Sequence, residues 1–131
     1  MKALDTNVLI RYLVQDDLTQ ARKAATYIEG AAAAGDQILI SDIVLCETVW
    51  VLDSAYGYDK VEIADAVEKL LQSATFIFEA KDVVSAAFDE YRSTKVDLAD
   101  CLIGRVHKSL GCEATATFDN ALRKLVTFQT L

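Results

Sequence analysis

The chain has 131 residues, of which 53% are hydrophobic and 25% charged, and it carries a net charge of −7. That length is one domain's worth, and that composition is globular, which excludes a disordered chain. No apolar run approaches the roughly 18–20 residues that span a bilayer, and the start Met1-Lys2-Ala3-Leu4-Asp5 meets an acid too soon for a signal peptide, so a cytoplasmic protein with no membrane partner is expected.

Lys2-Ala3-Leu4 reads as a short strand that ends at Asp5, after which Val8, Leu9, Tyr12 and Leu13 recur at helical spacing. A second helix is expected over residues 18–34, opening after Asp16-Asp17 and stopping at Gly35-Asp36. Residues 37–40 form a second strand, and Ser41-Asp42 is a helix-start signal. The helix that follows, over residues 43–55, contains the apolar run 43–52, in which Glu47 is the one acid; Gly57 breaks it. Residues 59–73 are amphipathic, with Val61, Ala64, Val67, Leu70 and Leu71 on the apolar side. A strand at 75–78, helices at 80–93 and 97–110, and a strand at 113–118 come next, with Gly111 ending the second of these helices. A short helix at 119–125 and a small strand at 126–128 close the chain.

There is no proline, and no repeat or linker interrupts the sequence. Strand alternating with helix predicts an α/β fold, a single domain over residues 1–131 with a central, mostly parallel sheet of four to five short strands covered on both faces. In such sheets ligands bind beyond the carboxyl ends of the strands.

Four acids stand at telling places in that frame. Asp5 and Asp119 follow the first and fourth strands, Glu47 sits alone in its apolar run, and Asp100 lies three residues after Asp97 on one helical face. A lone carboxylate in an apolar run is rarely buried without a partner. Several carboxylates brought together resist joint ionisation unless a cation joins them, and hard oxygen ligands suit Mg²⁺ or Mn²⁺. The chemistry that follows is metal-assisted attack of water on a phosphodiester. Each acid also has a plain structural reading: Asp5 and Asp119 as helix caps, Asp97 and Asp100 as first-turn acids favoured by the helix dipole. The 20 acids against 13 basic residues speak against a broadly basic nucleic-acid face, an objection that weakens where a bound cation reverses the local field.

These segments resemble the PIN domains, and among them the VapC-type toxins of toxin–antitoxin pairs. The opening Leu4-Asp5-Thr6-Asn7-Val8-Leu9-Ile10, the helix 41–52 around Glu47, the run Asp97-Leu98-Ala99-Asp100-Cys101, and Thr115-Ala116-Thr117-Phe118-Asp119 are similar to that family's acidic motifs in their order. The resemblance implies a three-layer α/β/α domain and a Mg²⁺- or Mn²⁺-dependent endoribonuclease. It implies Asp5, Glu47 and Asp100 as the core metal ligands, Asp119 as a fourth and Asp97 as a further contributor. Thr6, Asn7 and Thr117 would orient ligands or water. It also implies RNA as substrate, a cognate antitoxin as partner, and a homodimer.

Two rival functions fit parts of the pattern. A haloacid dehalogenase-type phosphatase also begins with an aspartate at a strand end, but it needs a second aspartate where this chain has Asn7. A non-catalytic acidic module that binds metal or a basic partner is compatible with the acids. His107, about two turns beyond Asp100, reads as a surface or structural histidine. Trp50, with Tyr56 and Tyr58, reads as core or dimer contact, with base stacking as the alternative. Arg11, Arg92, Arg105 and Lys108 are phosphate contacts or ordinary solvated residues. Cys46, Cys101 and Cys112 lack CxxC spacing, which argues against a disulfide framework or zinc site and for a reducing compartment.

Overall fold

Three short strands, β1 (Lys2–Ala3), β2 (Ile38–Ile40) and β3 (Phe76–Phe78), pair in parallel in that order in a computed structural model that describes residues 1–131. Parallel pairing needs crossovers. Here α1 (Thr6–Leu13) and α2 (Leu18–Ala33) join β1 to β2, and α3 (Asp42–Ser54) and α4 (Lys60–Gln72) join β2 to β3. These elements make up one compact unit, Met1–Glu79. A second, Ala80–Leu131, holds α5 (Lys81–Ser93), α6 (Leu98–Ser109), β4 (Thr115–Thr117), a 3₁₀ helix (Asn120–Lys124) and β5 (Phe128–Thr130). β4 and β5 are also parallel. The strands are five and all parallel, as the alternation predicts, and their hydrogen bonds group them as three and two.

The helix boundaries follow from local chemistry. Asp17 accepts from the Gln20 amide at 3.0 Å, and Ser41 from the Val44 amide at 3.3 Å. Asp59 and Glu62 form a reciprocal capping box, at 2.8 Å and 3.2 Å. After α2 and α3 the chain turns at Gly35 and Gly57, with φ of +70° and +65°, a region that side chains with a Cβ rarely enter.

In the first unit β2 buries Ile38 and Ile40, α1 buries Leu9, and α3 buries Leu45 and Leu52. Each such side chain contributes roughly 1.5–3 kcal/mol relative to exposure. The apolar side of α4 is Ile63, Val67 and Leu70; Val61, expected on it, is 69% exposed. Val67 and Leu70 are buried as expected, and Ile63, at i, i+4 and i+7 with them, takes the place expected for Val61. In the second unit α5 buries Val84, Phe88 and Tyr91 and packs along α6, which buries Leu98, Cys101 and Leu102. The last strand begins at Phe128 rather than at 126, because pairing with β4 fixes its register as Thr115 to Phe128. No helix is long and apolar enough to cross a membrane.

Candidate active site

Asp5 and Asp119 share one local grammar. Each stands two residues past the end of a strand and N-caps the helix that follows. Asp5 Oδ1 accepts from the Thr6 amide at 2.8 Å, and Asp119 Oδ1 accepts from the Ala121 amide at 2.8 Å. The Asp119 amide in turn donates to Thr117 Oγ1 at 3.0 Å, so Thr117 steadies the turn that carries the acid. Both carboxylates are exposed. Capping employs one oxygen and fixes the orientation of the other, so a cap and a ligand are compatible roles. Beside Asp5, Thr6 Oγ1 is buried without a hydrogen-bond partner, and Asn7 is exposed.

Asp100 is placed by α6. Asp100, Gly104 and His107 lie at i, i+4 and i+7 on one stripe of this helix. Gly104 abuts Thr127 and Phe128, and His107 Nδ1 is 2.8 Å from Thr115 Oγ1 on β4. The stripe therefore faces the β4–β5 pair, with Asp100 at its N-terminal end. Burial first, then the charges of Asp97 and Asp119, holds the Asp100 carboxyl above the usual carboxylate range. Asp97 occupies the N-cap position of α6, yet its side chain makes no capping bond. His107 is exposed and bonded to Thr115, in keeping with the surface or structural histidine of the sequence reading.

Glu47 departs from expectation. α3 buries Leu45, Thr48, Val49 and Leu52, whereas Glu47 is exposed. Ile43 and Trp50, one turn to either side of it, are 72% and 69% exposed. The apolar run is thus apolar on its open face as well, and Trp50 is not a core residue. Glu47 needs no buried partner. Within neither unit do three or more His, Cys, Asp or Glu side chains gather closely enough to hold a metal ion as they stand.

The structure adds an acid pair absent from the sequence reading, which took Asp42 as part of a helix start. Asp42 follows β2 and Glu79 follows β3, so parallel pairing of the two strands brings them together. The Asp42 amide donates to Glu79 Oε2 at 2.9 Å, and Asp42 Oδ1 is buried without a donor. Burial, then a hydrogen bond and repulsion from Glu79, pushes the Asp42 carboxyl up to about 6. Cys46, one turn along α3, is pushed up to about 11 by burial and by Asp42. An acid within two residues of each of the first four strand ends was the available signal.

A raised carboxyl binds its proton more tightly in the folded state. This share of stability is therefore full below the unfolded value near 3.9 and lost as pH rises to about 6. Asp42→Asn is expected to remove that dependence and to stabilise the protein at pH 7.5, by on the order of 1 kcal/mol after discounting for partial exposure. Melting curves from pH 4 to 8 check it; a variant that melts lower at pH 7.5 contradicts it.

Two of the basic residues are already engaged. Arg11 donates to Gln20 Oε1 at 2.7 Å, to Tyr56 Oη at 3.0 Å and to Asp16 Oδ1 at 3.3 Å, and Tyr56 closes the network onto Asp16 at 3.0 Å. Arg105 pairs with Glu90 at 2.9 Å. Arg92 lies over the Phe88 ring, 5.4 Å from its centroid. Cys46, Cys101 and Cys112 form no disulfide, and Cys101 is buried.

The PIN domain family model matches residues 2–126, a span that runs through both units. A VapC ribonuclease of Aquifex aeolicus (strain VF5) is 26% identical to the chain over 125 residues, covering 95% of this chain and 92% of that protein. No solved structure is significantly similar to it.

Proposed function

The chain belongs to the PIN domain family, and from that premise we propose that it is a Mg²⁺- or Mn²⁺-dependent endoribonuclease, the toxin of a toxin–antitoxin pair. The observation that carries the proposal is the family match over residues 2–126; beside it, burial and the charges of Asp97 and Asp119 oppose ionisation of Asp100. An arrangement unfavourable by itself is one that a divalent cation relieves. The donors are all carboxylate oxygens, which fits a hard cation and not a thiolate metal site. The VapC ribonuclease relative supports RNA as the substrate.

Asp5, Glu47, Asp100 and Asp119 are the residues assigned to hold the cation, with Asp97 as a further contributor. When bound, the cation stabilises charge on the attacking and leaving oxygens of the phosphodiester. The caps made by Asp5 and Asp119 keep their carboxylates in fixed orientations, so less order is lost on binding. The exposed Asn7 amide stands beside Asp5 and can hydrogen-bond a ligand or the attacking water; Thr6 Oγ1 is buried beside it, and Thr117 holds the Asp119 turn.

The same proposal carries a homodimer and an antitoxin. An exposed apolar pair on α3, Ile43 and Trp50, offers area for a protein contact. An antitoxin arginine offered to the carboxylates would pair with them bidentately and block the cation.

Total RNA incubated with the purified protein and Mn²⁺ or Mg²⁺ is expected to yield discrete fragments, and EDTA to abolish them. Protein that is folded and free of any antitoxin, is stabilised by Mn²⁺, and cuts no RNA would instead be a metal-binding module.

A further inference from the structure

A cleft of about 390 Å³ opens beside Asp5 within the first unit, floored by Leu4, Val8 and Ala24 and edged by Lys23 and Tyr27. We propose that this cleft is a nucleotide subsite, in which Tyr27 stacks one base of single-stranded RNA and Lys23 holds an adjoining phosphate. The proposal rests on the nuclease function above and names how that substrate is gripped.

Two helical stripes shape the cleft. Gln20, Lys23, Ala24 and Tyr27 recur at i, i+3, i+4 and i+7 on α2, opposite Asn7, Val8 and Arg11 of α1. The volume lies in the range of small-ligand sites, and an apolar floor with a few polar groups at its edge is their usual composition. Tyr27 is 46% exposed, which leaves ring surface for a base. Lys2 Nζ lies over one face of the ring, 5.6 Å from its centroid and 3.7 Å from Asp36 Oδ2. An aromatic surface stacks any base without reading its sequence.

Against the protein's net −7 and the Asp5 carboxylate in the same lining, the cleft offers a cation at Lys23. Arg11 is held by Asp16, Gln20 and Tyr56, whereas Lys23 is exposed and engaged by no carboxylate of the chain. A base in the cleft brings its own backbone past Asp5 at the cleft mouth. That is where the proposed chemistry needs a phosphodiester.

The test separates grip from cleavage. A fluorescein-labelled, mixed-sequence single-stranded RNA decamer is titrated in EDTA against wild type, Tyr27→Leu, Tyr27→Phe and Lys23→Gln, with thermal melts confirming that each is folded. Tyr27→Leu is expected to weaken binding about tenfold while Tyr27→Phe stays near wild type. Lys23→Gln is expected to lower the salt slope by about 0.7. In Mn²⁺, Tyr27→Leu should raise KM with kcat nearly unchanged.

Unchanged affinity in both Tyr27→Leu and Lys23→Gln overturns the subsite, as does a wild type that binds no RNA. Unchanged RNA affinity with lost antitoxin affinity overturns it too, and makes the cleft a protein-docking groove. Wild type that binds RNA yet never cleaves it ends the nuclease function, and the affinity comparison still decides the subsite.

Discussion

Asp100→Asn is expected to lower RNA cleavage by about 10³-fold while leaving the metal-free fold slightly more stable. A cation's stabilisation of transition-state charge is worth several kcal/mol, and each 1.36 kcal/mol is tenfold in rate. Burial, Asp97 and Asp119 hold the Asp100 carboxyl above its ordinary range. The folded state therefore binds that proton more tightly than the unfolded chain, and at neutral pH the fold bears an ionised group it disfavours. Asparagine removes the charge, and the gain stays below about 1 kcal/mol because the side chain is partly exposed and screened. Single-turnover cleavage and melting curves with and without Mn²⁺ read both effects. Loss of stability in metal-free buffer would make Asp100 an ordinary structural residue. Asp5→Asn is the companion variant: asparagine caps a helix as well as aspartate, so the α1 cap survives while the charge is lost. Full activity in Asp5→Asn would reduce Asp5 to a cap.

What the sequence made legible was local. Asp17, Ser41 and the Asp59–Glu62 box start their helices where their chemistry says, and Gly35 and Gly57 end two of them. The placement of Asp5 and Asp119 just past strands was equally readable, because strand ends and caps are written in adjacent residues. What failed were inferences about which face of an element is covered. Glu47 lay in a run apolar enough to look buried, yet Ile43 and Trp50 are exposed beside it. Hydropathy states what burial would gain and leaves open whether a neighbour is there. Val61 failed for the same reason: Val67 and Leu70 are buried as read, and packing set Ile63 rather than Val61 beside them. The Asp42–Glu79 contact spans 37 residues and exists only because β2 and β3 pair in parallel. The Arg11 network with Asp16, Gln20 and Tyr56 is likewise a tertiary fact, made by a residue that read as either a phosphate contact or an ordinary solvated one.

Gly104→Ala is expected to destabilise the protein by about 1–3 kcal/mol, although alanine is the better helix former by nearly 1 kcal/mol. A Cβ at this position would stand 2.8 Å from the Phe128 ring and 2.9 Å from Thr127 Cβ, and would run into Thr127 Oγ1 as well. Thr127 is buried, so it cannot swing into solvent to make room; α6 must move away from β5. Gly30, inside α2, is the control, since a Cβ there meets nothing within 4 Å. Gly30→Ala should stabilise by up to about 1 kcal/mol, so the same substitution has opposite signs on two helices. Thermal melts of both variants decide it, and equal stabilisation at both positions would mean that α6 does not approach β5 this closely. The consequence reaches the proposed chemistry, because Gly104 lies one turn after Asp100 on the same stripe. A helix displaced to admit a methyl group carries Asp100 with it. Gly104→Ala should therefore lose cleavage activity even at temperatures where it remains folded, and Gly30→Ala should not.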